Sequence, residues 1–270
     1  MLKYTIYDNA ESSEWIVFIH GLGSSSNTWV KQVRELKKYY NLLLIDLHGH
    51  GKSKDISLRN NTNPNFEEIN NDIIKVLDLL NIESAHFIGI SLGTIIVNSL
   101  TLTHTDRVKS IILGGAVTRI DFIIMIILKI IIMFKLTDKK WGHYIAFKIT
   151  FPKETDKEKM RRYSKLLKKS NALNLNYWAS IFNLINRTFK NKDYTEIPTL
   201  FIMGEEDKIL IRNIVKNIRG ASMFIIQNST HLCHLNSPRI FNSVSIAFLK
   251  NYKNIKIREE INFMQRLDKE

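Results

Sequence analysis

Short apolar runs that alternate with longer amphipathic segments constrain the fold of this chain more than any other feature of its sequence. Six runs have the length and the β-branched and aromatic content of buried strands, and glycine or polar turn residues bound each of them. They are Trp15–His20, Leu42–Asp46, His86–Ile90, Val108–Gly114, Thr199–Gly204 and Met223–Ile226. Segments with helical spacing of apolar residues lie between or after these runs. They predict helices at Phe66–Leu80, Leu92–Leu102, Ile209–Ile218 and Pro238–Leu249. This alternation predicts an α/β fold with a mostly parallel central sheet covered on both faces.

The alternation stops over residues 117–190, which look wholly helical. The stretch holds an apolar run over 122–134 and a basic segment over Lys153–Lys169, and it predicts a helical insertion between strands. The core of the protein would then consist of residues 1–116 and 191–270. A lysine interrupts the apolar run, which is shorter than the roughly 20 apolar residues of a membrane span. The run therefore predicts a buried or interfacial helix.

Composition and charge narrow the class of partner. Cys233 is the single cysteine among the 270 residues, so no intramolecular disulfide can form. Polar residues interrupt the N-terminal segment, which lacks the apolar core of a signal peptide and predicts a cytoplasmic protein. The formal net charge of +13 favours anionic partners, but no aromatic-basic motif of known nucleic-acid modules accompanies it. A solvated lysine-rich surface is the simpler interpretation, and peripheral binding to an anionic inner membrane face is the alternative.

The motif Gly89-Ile-Ser-Leu-Gly93 matches G-x-S-x-G where a predicted strand gives way to a predicted helix. In that setting Ser91 would occupy a sharp turn that lifts its hydroxyl clear of the backbone. Side chains two residues away on either side would collide at such a turn, which explains glycine at both positions. The N-terminus of the following helix also favours negative charge on a reacting oxygen. The motif predicts that Ser91 is a catalytic nucleophile.

The motif Phe18-Ile-His-Gly-Leu-Gly23 closes the first predicted strand. On its own this string would indicate a glycine turn and nothing more. Beside a nucleophilic serine it predicts an oxyanion hole made of backbone N–H groups. The predicted donors are the N–H groups of Leu22 and of Leu92, the residue after the nucleophile, with Gly21 against the substrate.

Phosphate, dinucleotide and metal sites are not predicted. Asp46 occupies the position of the first glycine of a P-loop whose Gly-Lys-Ser would end at Ser53. Ser26 occupies the third glycine position of a dinucleotide fingerprint that would begin at Gly21. Several histidines lack metal-ligand spacing with cysteine or carboxylate residues. They are His20, His48, His50, His86, His104 and His143. The sequence thus predicts no metal and no cofactor.

A nucleophilic serine needs a general base, and the base needs a carboxylate that orients it. After a G-x-S-x-G turn, the acid and then the base follow later strands of the chain. Three acids follow the fifth predicted strand: Glu205, Glu206 and Asp207. Two histidines follow the sixth: His231 and His234. These residues alone leave the choice of acid and base open.

Five strings, spread in order over Ile19–Pro238, resemble those of esterases and lipases of the α/β-hydrolase superfamily. They are HGLG, DLHGHGKS, GISLG, GEEDKI and THLCHLNSP. Members typically have G-x-x-D after the acid strand, so the resemblance implies Asp207 as the acid. Members also typically have proline seven residues after the base, which implies His231. His234 would then be a neighbour that lines the pocket.

The chain departs from the motifs of this superfamily at two positions. Thr230 stands where relatives have glycine, and Asn236 stands where an acid is common, but neither position carries the chemistry.

The resemblance implies that residues 117–190 form a helical cap that sets substrate choice. Phe122 and Met125 would then belong to an apolar wall for an acyl chain. Alternatively, the apolar run is the core of the cap, packed against the main domain.

The function implied by the resemblance is that of a cofactor-free serine hydrolase, a carboxylesterase or lipase acting on a small-molecule or lipid ester. The same scaffold also carries C–C bond hydrolases, perhydrolases and lyases, and fold alone does not choose among them. It carries non-catalytic ligand-binding modules as well. A dehalogenase is disfavoured, because it would need a carboxylate nucleophile and position 91 is serine.

Overall fold

The computed structural model describes residues 1–58, 65–120, 125–126, 172–189, 194, 196–254 and 262–263. Eight strands in this part of the chain form one sheet. They are β1 (Lys3–Tyr7), β2 (Trp15–Ile19), β3 (Asn41–Asp46), β4 (Ala85–Ile90), β5 (Val108–Gly114), β6 (Thr199–Gly204), β7 (Ser222–Ile226) and β8 (Asn262–Phe263). Their order across the sheet is β1-β3-β2-β4-β5-β6-β7-β8. β1 pairs with β3 in antiparallel orientation, and every other neighbouring pair is parallel.

Helices connect and cover these strands. The described helices are α1 (Val30–Leu36), α2 (Phe66–Leu79), α3 (Leu92–Thr103), α4 (Ala172–Thr188), α5 (Lys208–Asn217), α6 (Cys233–Asn236) and α7 (Pro238–Asn251). Local chemistry fixes several of their starts. The Asn65 side chain accepts the N–H of Glu68 and caps α2, and Pro238 occupies the first turn of α7, where its missing N–H costs nothing.

Residues of β2 show how the sheet divides the core into two layers. Val17 and Ile19 pack into one layer, which also contains apolar residues of α2, α3 and α4. Ile16 and Phe18 point to the opposite face and pack with α1 and α7. All four side chains are fully buried, and each contributes roughly 1.5–3 kcal/mol to folding. Helices on both faces therefore hold a rigid sheet whose strand ends carry the site.

The predicted fold class is confirmed, since a mostly parallel sheet lies between helical layers. All six predicted strands are present with small shifts at their ends. β1 was not predicted, because Lys3–Tyr7 is a partly exposed edge strand and not a continuous apolar run. The two-residue β8 was not predicted either, because it is shorter than the apolar runs from which strands are predicted.

The predicted cap over 117–190 falls mostly outside the described residues. Phe122 and the basic segment Lys153–Lys169 lie outside them, so the roles assigned to them stay predictions. Within the described part, Trp178 of α4 is fully buried in the same core layer as α2 and α3. Across the residues that are described, we find no helix with the length and apolar character needed to span a membrane. Peripheral binding to an anionic membrane stays a prediction from the sequence.

Candidate active site

Ser91 lies on the turn between β4 and α3, in a backbone conformation that few side-chain-bearing residues adopt. Its φ is 52° and its ψ is −116°, so this non-glycine residue lies at positive φ. The Ser91 N–H donates to the carbonyl of Gly114 at 3.0 Å, which ties the turn to β5. Its carbonyl accepts the Thr94 hydroxyl at 2.6 Å and the Thr94 N–H at 2.9 Å. The neighbouring strand and helix thus hold the strained turn in place.

Gly89 and Gly93 let the backbone close tightly around this turn. A Cβ on Gly89 would lie 2.6 Å from the carbonyl oxygen of Gly93. A Cβ on Gly93 would lie 2.8 Å from the carbonyl carbon of Ile19, at the end of β2. Both neighbours are backbone atoms, which cannot swing aside. The glycines of the motif therefore permit α3 to start directly against β2 and β4.

Replacing Gly93 by alanine should lower the free energy of unfolding by about 2–3 kcal/mol, because the added methyl group displaces backbone. Urea unfolding followed by circular dichroism measures this loss. Leu102→Ala is the matched control, since Leu102 lies on the same helix with 49% of its surface exposed. The control should cost less than about 1 kcal/mol. A Gly93→Ala protein as stable as the parent would contradict the close approach to Ile19.

His231 and Asp207 converge on Ser91 from the ends of two other strands. Asp207 follows β6 at the start of α5, and His231 lies in the loop after β7. His231 Nε2 lies 2.9 Å from Ser91 Oγ, and His231 Nδ1 lies 2.9 Å from Asp207 Oδ2. An ionised carboxylate only accepts, so Nδ1 carries the proton and Nε2 accepts the serine hydroxyl. This chain of hydrogen bonds prepares the serine for deprotonation.

The environment of His231 sets its basicity. Burial lowers its pKa, but the charge of Asp207 and the hydrogen bond to it outweigh this effect and raise the pKa above the ordinary value. The imidazolium that forms when His231 takes a proton is therefore stabilised where it arises. A histidine base, whose ordinary pKa lies near neutral pH, suits proton transfer under such conditions.

His234, the other histidine of the segment, lies in the core. Its ring is fully buried 4.8 Å from that of Trp29, and its Nε2 lies 2.8 Å from the hydroxyl of Thr28. Burial, with smaller effects of His231 and Lys31, lowers the pKa of His234 to about 3, so the ring stays neutral. A fully buried neutral ring contacts its own neighbours and not a substrate. The structure therefore does not favour the prediction that His234 lines the pocket.

The predicted oxyanion loop lies beside the nucleophile. A methyl group added to Gly21 would be 3.4 Å from the Cβ of Ser91. Leu22 follows directly, and Leu92 is the first residue of α3, where helix N–H groups have no partner within the helix. The loop and the start of α3 thus both adjoin Ser91, and the roles of Leu22 and Leu92 as oxyanion donors stay predictions. Met125, predicted as a substrate contact, is partly buried against the core, and its role stays a prediction.

A buried polar network behind this loop was missed by the sequence reasoning. Asp46, at the end of β3, accepts the Ser26 N–H at 2.6 Å and the Lys52 N–H at 2.9 Å. His20 and His50 were interpreted only as histidines without metal-ligand spacing, yet both rings hydrogen-bond the backbone of the oxyanion loop. The available signal was their place in the HGLG and HGHG strings. Within the described residues, no cluster of three or more His, Cys, Asp or Glu side chains could hold a metal ion.

Comparisons with known proteins support the fold described above. The sequence model of one family, described as the alpha/beta hydrolase fold, matches residues 14–193, two thirds of the chain. The 3-oxoadipate enol-lactonase 1 of Acinetobacter baylyi is 34% identical over 110 residues, which cover 41% of this chain and 40% of that protein. The chain aligns with only 40–42% of the length of this and three other curated relatives.

Two solved structures share the fold over nearly their whole length. An esterase from Exiguobacterium antarcticum has a TM-score of 0.74 and 21% identity, covering 92% of this chain and 96% of its own. A meta-cleavage product hydrolase from Pseudomonas fluorescens IP01 has a TM-score of 0.72 and 20% identity, covering 93% and 94%. At such identities the likeness is one of fold alone.

Proposed function

We propose that this chain, which belongs to the alpha/beta hydrolase family, is a serine hydrolase that cleaves carboxylic esters through an acyl-enzyme. The observation that carries the proposal is the hydrogen-bonded chain Ser91–His231–Asp207, with both donor–acceptor distances at 2.9 Å. A positioned nucleophile, base and orienting acid are the parts that acyl transfer requires. The fold itself permits other reactions, so the site and not the fold supports this choice.

In the first step, Ser91 Oγ attacks the ester carbonyl while His231 Nε2 takes its proton. Asp207 keeps the imidazole in the tautomer that leaves Nε2 free to accept, and it stabilises the imidazolium. The tetrahedral intermediate collapses when His231 returns the proton to the leaving alcohol. Water then attacks the acyl-enzyme with His231 again as base, which releases the acid and restores Ser91.

The negative charge on the carbonyl oxygen must be stabilised during both steps. The N–H groups of Leu22 and Leu92 are the proposed donors, and the positive end of the α3 dipole adds to them. Losing one such donor typically raises the barrier by about 2.7–4 kcal/mol. The donors belong to the backbone, so their effect depends on how firmly the loop holds them.

Small esters and cyclic enol esters are the substrate classes that we favour. The enol-lactonase relative acts, by its name, on an enol-lactone, and the structural neighbour from Exiguobacterium antarcticum is an esterase. Both reactions open a carboxylic ester and need the chemistry described above. Lipid esters stay a prediction from the sequence, since the apolar run over 122–134 lies almost entirely outside the described residues.

A substrate panel tests the proposal. We expect the wild-type chain to turn over p-nitrophenyl esters repeatedly, with a preference in a series from acetate to palmitate that reports the depth of the acyl site. An enol-lactone belongs in the same panel, and kcat/KM is the quantity to compare. Absence of multiple turnover on every ester and lactone would overturn the proposal and favour a ligand-binding role.

Carbon–carbon bond hydrolysis is the second candidate. A meta-cleavage product hydrolase shares the fold over 93% of this chain, and nothing in the Ser91–His231 geometry forbids such a substrate. A meta-cleavage product should therefore be included in the panel. Turnover of that compound together with inertness toward all esters would favour this candidate.

A further inference from the structure

Two buried imidazoles bracket the oxyanion loop Gly21–Gly23. His20 is fully buried and His50 is 3% exposed. Their ring centroids are 5.0 Å apart, so the two rings contact each other. Each ring nitrogen of the pair has a backbone partner, and the partners determine where the protons lie.

His20 fixes the peptide that carries the Leu22 N–H. The backbone N–H of Leu47 donates to His20 Nε2 at 3.0 Å, so Nε2 is the acceptor and the ring proton lies on Nδ1. That proton is donated to the carbonyl of Gly21 at 2.8 Å. The Gly21 carbonyl and the Leu22 N–H belong to one planar trans peptide and point in opposite directions. Holding the carbonyl toward His20 therefore aims the N–H away from it.

His50 fixes the next peptide in the same manner. The Gly23 N–H donates to His50 Nε2 at 2.9 Å, and His50 Nδ1 donates to the carbonyl of His48 at 2.9 Å. The Leu22 carbonyl and the Gly23 N–H share this second plane. Gly23 has a φ of 69°, and the Ser24 N–H closes the turn onto the Gly21 carbonyl at 3.2 Å. Both peptides that flank Leu22 are thus oriented by imidazole rings.

Trp178 of α4 contacts the His50 ring and also the backbone beside it. The ring of Trp178 lies 5.8 Å from that of His50, and the Trp178 Nε1–H donates to the His48 carbonyl at 3.1 Å. Gly23 and His50 both line a cleft of about 530 Å³. Gly23 has no side chain to pack, so the hydrogen bond from its N–H to His50 Nε2 is what holds its peptide beside the cleft.

We propose that His50 is a positioning residue for the oxyanion donor, holding the Gly23 peptide so that the Leu22 N–H stays aimed at the reacting carbonyl oxygen. The inference rests on the proposed acyl transfer at Ser91. His50 touches neither the substrate nor the reacting atoms. It acts through the backbone of the loop, as the partner of His20.

Two substitutions separate the hydrogen bonds of His50. In His50→Gln the side-chain oxygen reaches the place of Nε2 and accepts the Gly23 N–H. In His50→Asn the shorter amide replaces only Nδ1 and keeps the bond to the His48 carbonyl. We expect His50→Asn to lower kcat for a p-nitrophenyl ester about 10- to 100-fold, with KM changed less than about threefold. His50→Gln should stay within about fivefold of wild type.

His86→Asn controls for the general cost of losing a buried histidine. His86 is 1% exposed, and its Nδ1 lies 2.7 Å from the hydroxyl of Ser110, near the opposite end of β4 from Ser91. Urea unfolding should show that this variant is destabilised while its kcat is unchanged. If all three variants lost kcat in proportion to stability, His50 would have a structural role alone.

Amide hydrogen exchange of Gly23 in the whole 270-residue chain tests the inference without substrate. We expect protection in wild type and in His50→Gln and loss of protection in His50→Asn. Equal protection and equal kcat in both variants would overturn the proposal. A wild-type chain that hydrolysed no ester would contradict the proposed function instead, and the exchange of Gly23 would still decide whether His50 holds the loop.

Discussion

Replacing Ser91 by alanine is expected to lower kcat for ester hydrolysis by about a million-fold, to near the background rate. The substitution removes the atom that forms the acyl-enzyme, and His231 then has no hydroxyl to deprotonate. Covalent labelling of the chain by a fluorophosphonate should disappear at the same time. Steady-state kinetics with a p-nitrophenyl ester and mass spectrometry of the labelled chain measure the two effects.

Ser57→Ala is the matched control for this loss. Ser57 is exposed and lies outside the segments that converge on the site. It should keep wild-type kcat and full labelling. Labelling that persisted in Ser91→Ala, or kcat reduced only a few-fold, would show that another residue is the nucleophile. Urea unfolding should place Ser91→Ala within about 1.5 kcal/mol of the parent, because the substitution removes one hydrogen bond, that to His231 Nε2, and leaves the glycines at 89 and 93 intact.

The nucleophile and the sheet could be predicted from the sequence because short, contiguous patterns of residues encode them. Strand β4 ends in an apolar run at Ile90, the next residue is serine, and α3 starts at Leu92. A sharp strand-to-helix turn needs small neighbours, and the glycines at 89 and 93 show this requirement within a five-residue motif. β1 was not predicted, because an edge strand needs no continuous apolar run.

The acid and the base were harder to predict, because local sequence patterns did not distinguish among the three acids or between the two histidines. Glu205, Glu206 and Asp207 are adjacent, and only the fold decides which carboxylate reaches the imidazole. Glu205 instead accepts the N–H of Asn228 at 3.0 Å. His231 and His234 were distinguished by resemblance, and the structure supplies the physical reason, since His234 packs against Trp29 in the core.

The roles of His20 and His50 depend on contacts that no local pattern encodes. Each of their bonds to or from the backbone of the other loop spans 27 residues. The strings HGLG and HGHG come together only because β2 and β3 are parallel neighbours whose C-terminal ends meet at one edge. A sequence shows that both loops exist, whereas their register decides which nitrogen meets which peptide.

Replacing Asp207 by asparagine is expected to lower kcat about 10,000-fold, the second largest effect that we predict. The amide keeps the shape of the carboxylate but can donate to Nδ1, which places the ring proton on Nε2. In that tautomer His231 cannot accept the proton of Ser91. Steady-state kinetics on the p-nitrophenyl ester preferred by wild type measures the loss.

The same substitution should move the acid limb of the pH profile of kcat/KM. His231 acts as a base only when neutral, so wild-type activity falls as pH drops through its raised pKa. Asparagine removes the charge that raises this pKa, while burial, which lowers it, remains. The residual activity of Asp207→Asn should therefore fall at lower pH than that of wild type. Glu205→Gln, two residues away, should keep both the wild-type rate and the wild-type limb. The opposite result, a limb moved by Glu205→Gln and unmoved by Asp207→Asn, would contradict the assignment of Asp207. Glu205 would then be the acid that orients His231 and stabilises the imidazolium.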